Sequence, residues 1–172
     1  AAEKSPSLMM EKYRLATIEY NKFLQKPRGK DNINWDEPHY KPRGLGYEDA
    51  VYAERFSHLQ KTPVNAEVYD AFGFETGHGV SIKSMRLTDK TYAEKPSQIT
   101  AKLNGYIKDV IEFDKIDRTN PNVFKVSSKE VKAREIFLGV PKEITLEQFM
   151  AIQKSVDRAK ANDIILNFRI EE

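Results

Sequence analysis

The sequence has no cysteine, which excludes disulfides and thiolate metal sites and leaves carboxylates and histidines as ligands. The three histidines, His39, His58 and His78, are too scattered to form a cluster, so any metal is expected to be a hard one held by carboxylate oxygens. No stretch approaches the ~20 consecutive apolar residues of a membrane-spanning helix, and the N-terminus lacks the basic-then-apolar pattern of a signal peptide. No membrane span is therefore expected in this chain. An excess of one charge is also missing: 28 Lys and Arg face 26 Asp and Glu, for a net +2. Such a weak global field does not announce a nucleic-acid binder, although a local basic stripe can hide within the balance. What is present is 172 residues of which 40% are hydrophobic, enough for one core that removes roughly 70% of the unfolded surface from water.

Apolar residues at helical spacing from Leu8 to Leu24 predict an N-terminal helix over Ser7 to Gln25. Breakers crowd the next stretch, Lys26 to Gly46, in which Lys-Pro-Arg-Gly occurs twice, at 26–29 and 41–44. That segment reads as a linker with two solvated turns, with phosphate binding by the tetrads the less favoured reading. The expected division is thus residues 1–44, helix and linker, and residues 45–172, the folded domain. Within the latter, Tyr47 to Leu59 reads as a helix, and Ala66 to Phe74 and Gly79 to Met85 as strands around the turn Glu75–His78. A long helix opens at Pro96 and ends in the polar 114–122 region, and Ala133 to Val140 suits a buried strand. Thr145 and Gln148 form a capping box that starts a helix, and Ile164 to Ile170 is the last strand. The order predicts an α/β fold with a mixed sheet.

Asp70 and Lys83 stand out because each interrupts an apolar strand, where an unpartnered charge costs several kcal/mol. Alternation places Ser81 and Lys83 on one face, and a hairpin brings that face beside Asp70. Glu48, early in the preceding helix, offers a second carboxylate, with Glu54 as its fallback. Two acids that hold a divalent cation and a lysine that orients or deprotonates water make a phosphodiester-cleaving set. The competing reading is a structural ion pair between hairpin strands. His78, in a Gly-flanked turn, is expected on the surface. The run Gly73–Gly79 is glycine-rich but lacks the Gly-Lys-Ser/Thr of a phosphate loop.

A resemblance tips this balance. Tyr69-Asp70, Ser81-Ile82-Lys83, the stretch Tyr92 to Ile99 with Pro96, Arg134-Glu135-Ile136 and Val140-Pro141 resemble, in order, the motifs of the nuclease domain that ends contact-dependent growth inhibition toxins. The likeness covers about Gly44 to the end, and Tyr47-Glu48 matches the family's aromatic–acid pair. It implies a restriction-endonuclease-like αβββαβ core of the PD-(D/E)XK kind. It further implies catalytic roles for Glu48, Asp70, Ser81 and Lys83, and Mg²⁺ or Mn²⁺ on Glu48 and Asp70. The implied activity is cleavage of tRNA, with DNA as the alternative substrate and a non-catalytic binding domain as the other. The implied setting is a larger secreted or cell-surface toxin acting in the target-cell cytoplasm, neutralised by a cognate immunity protein with an acidic face over Lys83. Three departures are visible. Ser81 stands where the motif carries an acid, Gly73 stands where a second acid often follows, leaving Glu75 nearby, and the family's Leu-Asp-Thr has become Met85-Arg86-Leu87-Thr88-Asp89.

Overall fold

The computed structural model describes residues 5–172; of the expected N-terminal segment, residues 1–4 lie outside the described residues. In chain order the helices are α1 (Pro6–Gln25), α2 (Tyr40–Val51), α3 (Lys90–Glu94), α4 (Ser97–Ile111) and α5 (Leu146–Ala161). The strands are β1 (Gln60–Lys61), β2 (Ala71–Gly73), β3 (His78–Ser84), β4 (Lys115–Arg118), β5 (Phe124–Ser127), β6 (Ala133–Val140) and β7 (Ile164–Ile170). The main sheet has the order β1-β2-β3-β6-β7, antiparallel from β1 to β3 and parallel from β3 through β6 to β7. This is the expected mixed sheet. The αβββαβ core runs α2, β1, β2, β3, α4, β6, and α5 with β7 extends it.

Each face of the sheet has its own apolar layer. Ile136, Leu138, Val140 and Leu166 face α4, α5 and the end of α1, where Phe23 meets Phe149 and Phe168. Val80, Ile82 and Phe137 face the other way, against Tyr47 and Val51 of α2 and Phe56. The parallel strands are therefore covered on both sides, as such strands require.

Several expectations need correction. The chain from Tyr40 to Gly46 is helical rather than linker: Pro42 falls in the first turn of α2, where a missing N–H costs nothing. The first tetrad is also tied down. Gly29 bridges to Glu171, and Arg28 pairs with Glu172 at 2.7 Å. The helix expected to reach Leu59 leaves the α form at Val51 and passes through a π turn, Tyr52–Phe56. The strand expected over Ala66 to Phe74 shrinks to Ala71–Gly73, because Val68 adopts φ 66°, a left-handed conformation that breaks extended chain and strains a β-branched residue. The polar 114–122 region does not simply end a helix. It contains β4, the first arm of a β4–β5 hairpin that buries Ile116, Phe124 and Val126.

One buried network fixes how α2 sits. The Tyr47 hydroxyl donates to Glu171 Oε2 at 2.8 Å, and both residues are fully buried. A Cβ on Gly139 would run into the Tyr47 ring, so glycine there lets α2 lie close on β6. Arg169 and Asn32 also donate to Glu171. Tyr47→Phe removes one donor from a buried carboxylate, which is expected to cost about 1.5–3 kcal/mol. Urea unfolding should show this as a lower midpoint at unchanged slope.

Candidate active site

Four of the residues singled out from the sequence come from three elements. Glu48 lies in α2, Asp70 immediately precedes β2, and Ser81 and Lys83 belong to β3. The backbone around Asp70 is pinned: its N–H donates to Val80 O at 2.8 Å, and its C=O accepts from Thr62 N at 3.0 Å. Its side chain then turns to β3, where Asp70 Oδ2 accepts the Ile82 N–H at 2.7 Å. With β2 this short, the carboxylate occupies the edge of β3 that a longer β2 would have covered.

Glu48 reaches the same place from the opposite layer. Burial first, and the neighbouring Asp70 second, push its carboxyl up to about 7, with Lys83 opposing. Burial likewise raises Asp70, against the Ile82 N–H, Lys83 and a hydrogen bond with Glu48. Two carboxyls that close cannot both ionise freely, so they tend to retain a proton between them. A divalent cation can take that proton's place. The donor set is all oxygen, which fits Mg²⁺ or Mn²⁺. Among the described residues no group of three or more acidic, histidine or cysteine side chains has metal-binding geometry, so these two carboxylates would hold the ion with oxygens from outside the acidic set.

Lys83 Nζ stands 4.8 Å from the centre of the Tyr106 ring, and Lys102 Nζ lies 5.5 Å from the same ring. Such contacts hold an ammonium while leaving its donors available. Ser81 shares the face of Lys83 but is buried at 2% exposure and does not line the adjoining cleft. Glu75 is exposed in the turn at the far end of the hairpin. Glu54 is not brought in: Arg169 grips both its oxygens at 2.8 Å. His78 is not a surface turn residue, since it opens β3 and its Nε2 lies 2.9 Å from Glu135 Oε1.

Glu48 and Lys83 border a cleft of about 630 Å³ between α2, the end of β3 and α4, with Asp70 behind Glu48 rather than in its lining. Lys41, Arg43, Lys83, Arg86 and Lys102 line it, against the acids Glu48 and Asp89. This is the local basic stripe that a net charge of +2 conceals. Sequence reasoning singled out Lys83 but assigned Lys41 and Arg43 to a solvated linker and gave Arg86 and Lys102 no role. The clue available was the second tetrad's nearness to Glu48: helical spacing brings residues 41, 44 and 48 to one face.

A mixed sheet with a carboxylate pair and a lysine gathered at the end of its central strand defines a restriction-endonuclease-like domain. The chain belongs to the CDI (contact-dependent growth inhibition) toxin restriction endonuclease-like domain family, whose model matches residues 43–169. It is 25% identical over 128 residues to Deoxyribonuclease CdiA of Yersinia pseudotuberculosis serotype O:3 (strain YPIII), covering 74% of this chain and 11% of that protein. The chain thus spans about a tenth of that relative's length. Its fold matches the CdiA-CT/CdiI toxin and immunity complex from Yersinia pseudotuberculosis with a TM-score of 0.61 at 24% identity, over 72% of this chain and 96% of the matched one.

Proposed function

We propose that this domain is a metal-dependent endonuclease toxin that cuts DNA. The observation that carries the reading is the convergence of Glu48, Asp70 and Lys83, of which Glu48 and Lys83 line a basic cleft. Of the two substrates weighed from the sequence, the relative named a deoxyribonuclease supports DNA over tRNA. Glu48 and Asp70 would hold Mg²⁺ or Mn²⁺, which supplies charge stabilisation at a phosphoryl oxygen and a more acidic water. The chain's own part is positional. Thr62, Val80 and Ile82 fix Asp70, and Tyr47 seats α2 so that Glu48 meets it. Lys83 brings a positive charge, steadied by Tyr106, to the place where a phosphate gains negative charge. Lys41 and Lys102 attract the rest of the backbone, an attraction that weakens with salt.

Family membership and the matched toxin and immunity complex support a setting for this reading. In it, the domain is part of a larger secreted or cell-surface toxin, works in the cytoplasm of a target cell and is neutralised by a cognate immunity protein. Purified protein incubated with supercoiled plasmid and, separately, with total tRNA tests the activity. Plasmid should be nicked or linearised in Mg²⁺, spared in EDTA, and cut again when Mg²⁺ exceeds the chelator. Cleavage of tRNA with plasmid intact would return the substrate to RNA, and full cutting in EDTA would remove the metal from the reading.

A further inference from the structure

Arg43 in α2 is buried at 9% exposure, and its Nη1 donates to Glu37 O at 2.7 Å. Arg86, just beyond β3, donates from Nη1 to the same carbonyl at 3.3 Å and to Trp35 O at 3.1 Å. Its Nε pairs with Asp89 at 2.6 Å. Two guanidinium groups therefore meet at one carbonyl oxygen. Burial first, and Arg86 second, hold the Arg43 guanidinium below the usual arginine range, with Asp89 and Glu37 offsetting part of that cost. An arginine cannot relieve such repulsion by shedding its proton, so an added anion is what would relieve it.

The donors for that anion are present. Each guanidinium carries five N–H groups, and the bonds to protein leave Arg43 Nε and Nη2 and Arg86 Nη2 without a protein acceptor among the described residues. They are not sealed away, because among those residues the Tyr69 hydroxyl is the one buried polar side-chain atom lacking a partner. Both arginines line the cleft that Glu48 and Lys83 border. Fork-shaped donors in pairs match the oxygens of a phosphodiester.

We propose that Arg43 and Arg86 form a clamp for a backbone phosphate next to the one being cleaved, a proposal that rests on the nuclease reading of the site. Arg86 falls where the resembling motif carries the aspartate of Leu-Asp-Thr, so the clamp belongs to this chain rather than to the motif. The competing account is structural: the two arginines merely anchor the 35–37 loop.

Binding measured in EDTA separates these accounts without depending on cleavage. A short fluorescent DNA duplex is titrated across a range of NaCl concentrations with wild type, Arg86→Gln and Arg86→Lys, and a single neutral methylphosphonate is walked along one strand. The clamp requires Arg86→Gln to weaken binding about tenfold and to reduce the slope of log affinity against log salt by about one. Arg86→Lys should restore the slope but not the whole affinity. A methylphosphonate at one position should weaken wild type and leave Arg86→Gln unaffected, because the lost contact cannot be lost twice. A structural anchor predicts instead the same proportional loss at every methylphosphonate position in both proteins, and that result overturns the clamp, as does unchanged affinity in Arg86→Gln or no duplex binding by wild type. The nuclease reading fails separately, if wild type binds duplex with this pattern yet cuts no plasmid in Mg²⁺.

Discussion

Lys83→Met is expected to lower the rate of plasmid cleavage by about a thousandfold or more while leaving thermal stability close to wild type. The size follows from the work assigned to the ammonium: one group that stabilises developing charge in a desolvated site is worth about 10²–10³ in rate, and help with proton transfer adds to it. The small stability effect follows from its surroundings. Lys83 is half-buried, forms no ion pair within bonding distance among the described residues, and rests on Tyr106, which can pack equally well against a methionine side chain. Asp70→Asn should cost as much activity, and asparagine is the informative replacement. Its oxygen can keep the Ile82 N–H bond that Asp70 Oδ2 accepts at 2.7 Å, whereas alanine would leave that donor unpaired at a cost of about 1–3 kcal/mol. The competing structural ion pair makes the opposite forecast, in which both variants lose stability and retain activity. Wild-type cleavage by either variant would sink the catalytic assignment.

How much of this was legible beforehand depended on the length of each pattern. β3, β6 and β7 carry seven or eight residues each with a clear apolar run, and α4 and α5 keep an apolar stripe over four turns, so their limits were readable to within about two residues, except that α4 ends at Ile111, before the polar region expected to stop it. β1 has two residues, both charged or polar, and β4 has a single buried apolar residue, Ile116. Neither offers a period to detect. The start of α2 was hidden by its composition: Pro42, Gly44 and Gly46 all argue against helix, and packing of Tyr47 and Val51 on the sheet overrides them. The same concealment touched the site. Asp70 and Lys83 were conspicuous as charges among apolar residues, but Lys41 and Arg43 enter the cleft only because the linker is helical. Arg43 and Arg86, 43 residues apart in sequence, share a carbonyl that no local pattern could indicate.

Glu48→Gln should make the metal-free protein more stable at pH 8 and nearly inactive, an inversion that only a strained carboxylate pair explains. The direction comes from the proton balance. The Glu48 carboxyl is pushed up to about 7 from an ordinary value of 4.5, so between those two pH values the folded protein binds a proton that the unfolded chain has released. Stability then falls as pH rises through that window and levels off above about 7. Asp70, raised in the same sense, adds to the fall. A glutamine at position 48 never ionises and can donate its amide N–H to the Asp70 carboxylate, so the variant escapes the loss. Thermal melts in EDTA at pH 5 and pH 8 should show a clear drop for wild type and a smaller one for Glu48→Gln. Adding Mg²⁺ at pH 8 should raise the wild-type midpoint, since a ligand bound only by the folded state stabilises it, and should raise the variant's less. In cleavage assays the variant should need more Mg²⁺ to reach half of its own maximal rate. If wild type and Glu48→Gln lose the same stability between pH 5 and pH 8, the two carboxyls do not share a proton, and the case for a cation between Glu48 and Asp70 loses its electrostatic basis.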